Sequence, residues 1–126
     1  MNEDRQEEIG ALLAPMLKKV LFVALSKAVA TSDRMLPHVA EHLRYMNDLE
    51  ERGILFASGP FVQEGVLVGD GLTILRAESL DHARQLMEEE PLIKLGMRTF
   101  ELRKWELREG RISISLNASR SSFDLG

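Results

Sequence analysis

Val39, Leu43, Met46 and Leu49 recur at spacings of four, three and three, which is one face of a helix. Glu41, Arg44, Asp48, Glu51 and Arg52 fall mostly on the opposite side. Pro37 suits the first turn of such a helix, where a missing N–H costs nothing. Gly53 can take the left-handed conformation that closes it. The apolar run Ile54 to Ser58 then predicts a strand, stopped by Gly59-Pro60. The stretch Leu36 to Phe61 is therefore a helix, a turn and a strand, and the rest of the chain has to be built around that unit.

Before it, VLFVAL within Lys19 to Ser26 is continuously apolar and predicts a strand covered on both faces; residues 27 to 35 read as a loop. After it, residues 62 to 71 carry three glycines and read as a hairpin connection, with Val66 to Val68 extending a strand. Leu72 to Ala77 is a third strand. Ser79 can cap a second helix, with Asp81 in its first turn and Leu80, Ala83, Leu86 and Met87 on its inner face. Pro91 ends that helix, and Met97 to Leu107, with Phe100 and Trp105, is the fourth strand.

The order strand, helix, strand, strand, helix, strand is the split β-α-β arrangement of α+β, ferredoxin-like domains. Ile112, Ile114 and Leu116 alternate with Ser113 and Ser115 and predict an extra C-terminal strand. The last ten residues read as poorly ordered or partner-dependent. Helices on one face leave the other face of the sheet open, and the expected cover is a second copy of the chain, hence a homodimer. Residues 1–17 form an N-terminal extension in this reading, residues 18–109 the domain, and residues 110–126 a C-terminal strand and tail. Ile9, Leu12, Leu13 and Met16 give the extension a short helix, either packed on the body or laid over a partner subunit.

Composition narrows the function classes. At 126 residues the chain is one domain with a core of its own. It has no cysteine, so no disulfide framework, thiolate metal site or thiol nucleophile. A net charge of −4 gives no electrostatic case for nucleic acid. The longest apolar run, Val20 to Leu25, is too short to cross a membrane. Met16 to Ala30 imitates a signal peptide, but Ser26 and Lys27 interrupt it and an acidic segment precedes it, so the expected location is the cytoplasm. Asn117-Ala118-Ser119 matches a glycosylation acceptor and, without an export signal, is taken as chance.

Chemistry concentrates on the histidines, of which there are three. His38 and His42 stand one helical turn apart, and His42 borders the apolar stripe beside Val39, Tyr45 and Met46. A carboxylate next to such an imidazole orients the ring, fixes its tautomer and steadies the charge it gains on protonation. Against this stands the plainer reading of a histidine at the core edge, satisfied by any nearby acceptor. Tyr45 would line a pocket beside His42 or merely pack. Ser58, Gly59 and Pro60 end a strand where a ligand can approach backbone, or form a plain turn. Arg76, Arg98, Arg103, Lys104 and Arg108 would bind an anionic substrate, or sit solvated and paired across strands. Trp105 reads as a subunit contact rather than a pocket wall. The string His38 to His42 spells H-x-x-E-H, a zinc-protease signature, but the downstream ligand helix and large scaffold of those enzymes are missing. A looser metal site of His38, His42 and Glu90 ranks below no metal at all.

HLRYMNDLEERGILFASGPF, then RAESLDHARQLMEEEP, then Trp105 near the end of the fourth strand, together resemble the YCII-related domain family over roughly residues 18 to 107. The shared marks are His42-Leu43 ahead of Gly53, a strand ending in Gly59-Pro60, and Ala77 to Leu80 opening the second helix. The resemblance implies a small dimeric α+β barrel, related in fold to muconolactone isomerases. It also implies a histidine–aspartate active site in which the aspartate precedes a proline. This chain has Glu90-Pro91 there, which keeps the carboxylate on a side chain one methylene longer. The family contains a dehydrochlorinase, so the resemblance implies a cofactor-independent lyase or isomerase acting on a small cyclic or aromatic-derived metabolite. His42 and Glu90 would be catalytic, with His38, Tyr45, Ser58, Gly59 and Pro60 around the substrate. The alternative is a non-catalytic ligand-binding or assembly module of the same fold.

Overall fold

The computed structural model describes residues 2–126, apart from the side chains of residues 66–68. Its elements, in chain order, are α1 (Asn2–Leu13), β1 (Lys19–Ala28), α2 (Ser32–Met35), α3 (Val39–Glu51), β2 (Leu55–Gln63), β3 (Val66–Leu75), α4 (Leu80–Glu88), α5 (Pro91–Lys94), β4 (Arg98–Leu107), β5 (Ile114–Asn117) and β6 (Ser122–Leu125). They fall into two compact units. Residues 20–106 form one; residues 1–19 with 107–126 form the other.

The larger unit is built on a four-stranded sheet of order β2-β3-β1-β4, the ferredoxin-like order. β3 pairs antiparallel with both β1 and β2. Glu64 and Gly65, both at positive φ (51° and 80°), make the tight turn that joins β2 to β3. Period two sorts β1: Phe22, Ala24 and Ser26 are buried. Phe22 and Ala24 join Leu75 of β3, Met46 and Leu49 of α3, and Ala83, Leu86 and Met87 of α4 in one core cluster. On the opposite face Val23, Leu25, Leu72, Ile74 and Trp105 surround a shallow hollow, with Arg103 and Lys104 beside them. Leu25 and Trp105 are exposed there, but Leu21 on the same face is fully buried, so β1 is covered on both faces at its start and on one face further along.

Three expectations need correction. The sheet is open, its two edges β2 and β4 stay unpaired with each other, and four strands in a linear order neither close nor curl; it is not a barrel. The last ten residues, expected to be poorly ordered or partner-dependent, carry β6, and the expected C-terminal strand is β5. β5 pairs antiparallel with β6 in a separate two-stranded sheet, Ile114 opposite Leu125 and Leu116 opposite Phe123. Finally, Gly59-Pro60 does not stop β2, which continues to Gln63. β2 is an edge strand, where a proline takes no hydrogen bond from the ladder, and the irregularity is absorbed as a register shift between Pro60 and Val62.

In the smaller unit α1 is a helix none of whose residues is buried, and all residues of β5 and β6 are exposed.

Candidate functional site

α3 begins after a 3-10 turn, Leu36–His38, that contains Pro37. His38 sits at the junction, and His42 follows one turn into α3. α3 packs on β2 and on α5, so the face of α3 that bears His42 looks along the helix layer towards the start of α5. That start is fixed by Glu90-Pro91. A residue before proline is pushed towards extended backbone, and Glu90 lies at φ −62°, ψ 127°. Pro91 then occupies the first helical turn, and the Glu90 carboxylate caps the helix: its Oε1 accepts from the Leu92 backbone N–H at 3.1 Å.

The same oxygen lies 2.5 Å from His42 Nδ1. Glu90 is only 2% exposed, and a carboxylate this deep has to be paired and hydrogen-bonded. Both conditions are met, by the helix N-terminus and by the imidazole. The short hydrogen bond assigns the His42 ring a tautomer in which Nδ1–H donates to Glu90. Nε2 then carries the free lone pair, and it makes no hydrogen bond to any described residue. Lengthening the acid by one methylene, relative to aspartate, has not cost the contact.

His42 forms part of the wall of a cavity of about 500 Å³. Met35, Leu36, Val39, Leu43, Met46, Leu55 and Leu92 make most of that wall apolar. The floor comes from the sheet, through its register. Ser58 stands opposite Thr73, Pro60 opposite Gly71, and Gly71 in turn opposite Ser26 of β1. Ser26, Ser58, Gly59, Pro60, Gly71 and Thr73 all face the cavity. Gly71 lets β2 come close: a Cβ there would lie 3.3 Å from the Gly59 carbonyl oxygen. Gly69 has φ +84°, and a Cβ on it would meet Ala28 Cβ at 2.9 Å, which holds the rim near Met35 tight.

Of the residues expected at the site, His42, Ser58, Gly59 and Pro60 line the cavity, and Glu90 stands directly behind His42. His38 and Tyr45 do not line it. Tyr45 packs against the core, and its hydroxyl donates to the Leu86 carbonyl at 2.6 Å. Burial, then the nearby Glu89 carboxylate, push the Tyr45 phenol up to about 12, which keeps it a donor. His82 accepts from the Glu78 backbone N–H on the other helix pair, away from this cavity. Among the described residues, no three His, Asp or Glu side chains are gathered as metal ligands.

One residue was hidden among the five cations noted in the sequence. Arg98, the first residue of β4, also lines the cavity. Its Nε is buried with no hydrogen-bond partner, and among the described residues no carboxylate pairs with it. A buried donor left in this state costs about 1–3 kcal/mol. The sequence offers no signal for it beyond the position of Arg98 just after the α5 turn.

Comparison with known proteins agrees with this architecture. The chain matches the model of the YCII-related domain over residues 20–106. Among solved structures it is similar to 5-chloro-2-hydroxyhydroquinone dehydrochlorinase (TftG) from Burkholderia phenoliruptrix AC1100, in complex with 2,5-dihydroxybenzoquinone. The TM-score is 0.59 and the identity 24%, over 68% of this chain and 92% of that one, a likeness of fold. No curated protein matches the chain. The matched span coincides with the larger unit and leaves both terminal segments outside it. On the extent of that match, the chain belongs to the YCII-related domain family.

Proposed function

We propose that the chain is a small-molecule enzyme, with His42 as general base and acid and Glu90 as the group that orients it. The observation that carries this reading is the His42 ring itself: Nδ1 is held at 2.5 Å by a buried carboxylate, while the ring borders a cavity large enough for a compact cyclic molecule. Nε2 accepts a proton from a hydroxyl or an acidic C–H of the substrate, and Glu90 steadies the imidazolium that results. Returning the proton elsewhere on the substrate gives isomerisation. Losing it together with a leaving group gives elimination.

The similarity to a dehydrochlorinase complexed with a dihydroxybenzoquinone supports a hydroxylated ring as the substrate class. In that reaction type the base removes one proton, its bonding pair moves into the ring system, and chloride leaves with the C–Cl pair. The sum is loss of HCl, which requires neither an outside oxidant nor a cofactor. No helix among the described residues is long and apolar enough to cross a membrane. The reading places the protein in the cytoplasm as a homodimer, with a second copy over the hollow between Leu25, Leu72, Ile74 and Trp105.

The test is chloride release from chlorinated hydroxyquinols. His42→Ala should lower kcat by about 10²–10⁴-fold, with an unchanged circular dichroism spectrum. Turnover equal to wild type in a folded His42→Ala protein excludes His42 as the base.

A further inference from the structure

Two groups that line the cavity, His42 on the helix layer and Arg98 on the sheet, differ in how they are satisfied. His42 and Glu90 complete each other. Arg98 brings a permanent positive charge to the wall with no protein acceptor for its buried Nε. Among the described residues, the only other formally charged side chain lining the cavity is Glu50 of α3, which is exposed. Native proteins rarely leave a buried N–H of a guanidinium without an acceptor. Where one is left so in a cavity wall, the missing acceptor is the natural property of the ligand.

We propose that Arg98 is the anion anchor of this cavity, so that the site selects ring compounds carrying an ionised oxygen, a phenolate, enolate or carboxylate, over their neutral counterparts. The argument rests on the preceding reading only in taking this cavity as the place where substrate binds. A planar guanidinium meets an oxyanion with charge-assisted, directional hydrogen bonds, and does so best where water is excluded. The apolar side chains of Met35, Val39, Met46 and Leu92 then take the body of the ring, and the hydroxyls of Ser26, Ser58 and Thr73 remain on the floor for further ring oxygens. Such an anchor fixes which edge of the ring meets Arg98, and therefore which edge is turned to His42 Nε2. It also lowers the cost of accumulating negative charge on the ring after His42 has taken a proton. Arg98 is thus a specificity-determining residue that touches substrate without itself carrying the proton.

Calorimetric titration tests this without any turnover, using 2,5-dihydroxybenzoquinone, which is ionised at neutral pH, and its neutral ether 2,5-dimethoxybenzoquinone. Wild type should bind the anion more tightly than the ether by about 10-fold or more. Arg98→Gln should weaken the anion on the order of 100-fold, leave the ether unchanged, and so abolish the preference. Arg98→Lys, which keeps the charge and loses the planar fork, should fall between the two. Ligand-free Arg98→Gln should melt no lower than wild type, because the arginine has no protein partner to lose; a structural arginine would behave in the opposite way. His42→Ala should retain the anion preference even if it loses all turnover, so the anchor and the base fail separately. Equal binding of the anion by wild type and Arg98→Gln, equal binding of anion and ether by wild type, or no binding of the anion at all overturns the proposal.

Discussion

The body, residues 20–106, and the terminal unit, residues 1–19 with 107–126, both carry apolar residues at regular spacing, yet they use them differently. In the body the stripes that face the helix layer find cover: Met46 and Leu49 of α3, Leu86 and Met87 of α4, and Leu75 of β3 meet in one core. In the terminal unit Ile114, Leu116, Phe123 and Leu125 alternate just as cleanly along β5 and β6 and remain exposed, Leu116 by 81%. Periodicity therefore states which side of an element is apolar, and not whether anything covers it. The body is also where the family match, the cavity and the paired histidine lie. The stability of this protein, and the chemistry proposed for it, belong to that unit.

The difference can be broken by mutation, and the largest effect is expected in the body. Leu49 is 1% exposed, so Leu49→Ala should cost about 2–5 kcal/mol through lost burial and a residual cavity, measured by urea unfolding. A loss below half a kcal/mol, on the order of a surface substitution, would mean that the α3 stripe is not the core.

A smaller effect is expected at Tyr45, whose phenol is pushed up to about 12 by burial and by the neighbouring Glu89. An unfolded tyrosine ionises near the ordinary value, about 10. Between these two values the folded state holds the proton more tightly, so stability falls as pH rises from about 10 towards 12. Tyr45→Phe should remove that slope, and it should leave turnover largely intact because Tyr45 does not line the cavity. An alkaline slope that persists in Tyr45→Phe would assign it to another group.

The smallest effect is expected at the terminus. Leu116→Ser should change stability by no more than about 0.5 kcal/mol. A loss as large as that of Leu49→Ala would show that the hairpin is covered in solution, and the contrast between the two units would disappear.

What could be read in the sequence followed the same division. The helix of Val39 to Leu49, the serine cap at Ser79 and the order of the four main strands are local signals, and each is present in the structure. His42 was also legible, from its place at the edge of a stripe, and Glu90 as its partner came from the family resemblance, which implies an acid before a proline. Three features depend on what lies alongside and were not legible. Pro60 was taken as a stop because its edge position is a property of the sheet. Ile112 to Leu116 was legible as a strand but its partner was not, because alternation does not name a partner strand, and β6 lay in a segment expected to be poorly ordered or partner-dependent. Arg98 looked like any cation on a strand, since its isolation in a cavity wall arises only when β4, α5 and α3 are brought together. The barrel came from the family resemblance, and the open strand order corrects it.

The central claim is that His42 presents a bare Nε2 to the cavity because Glu90 holds the proton at Nδ1. Nitrogen-15 NMR of histidine-labelled protein, at a pH where the ring is neutral, reads this directly. The account predicts an Nδ1–H tautomer for His42, with the Nε2 resonance of an unprotonated nitrogen that shifts when 2,5-dihydroxybenzoquinone is added. An Nε2–H tautomer with an unmoved resonance would contradict it.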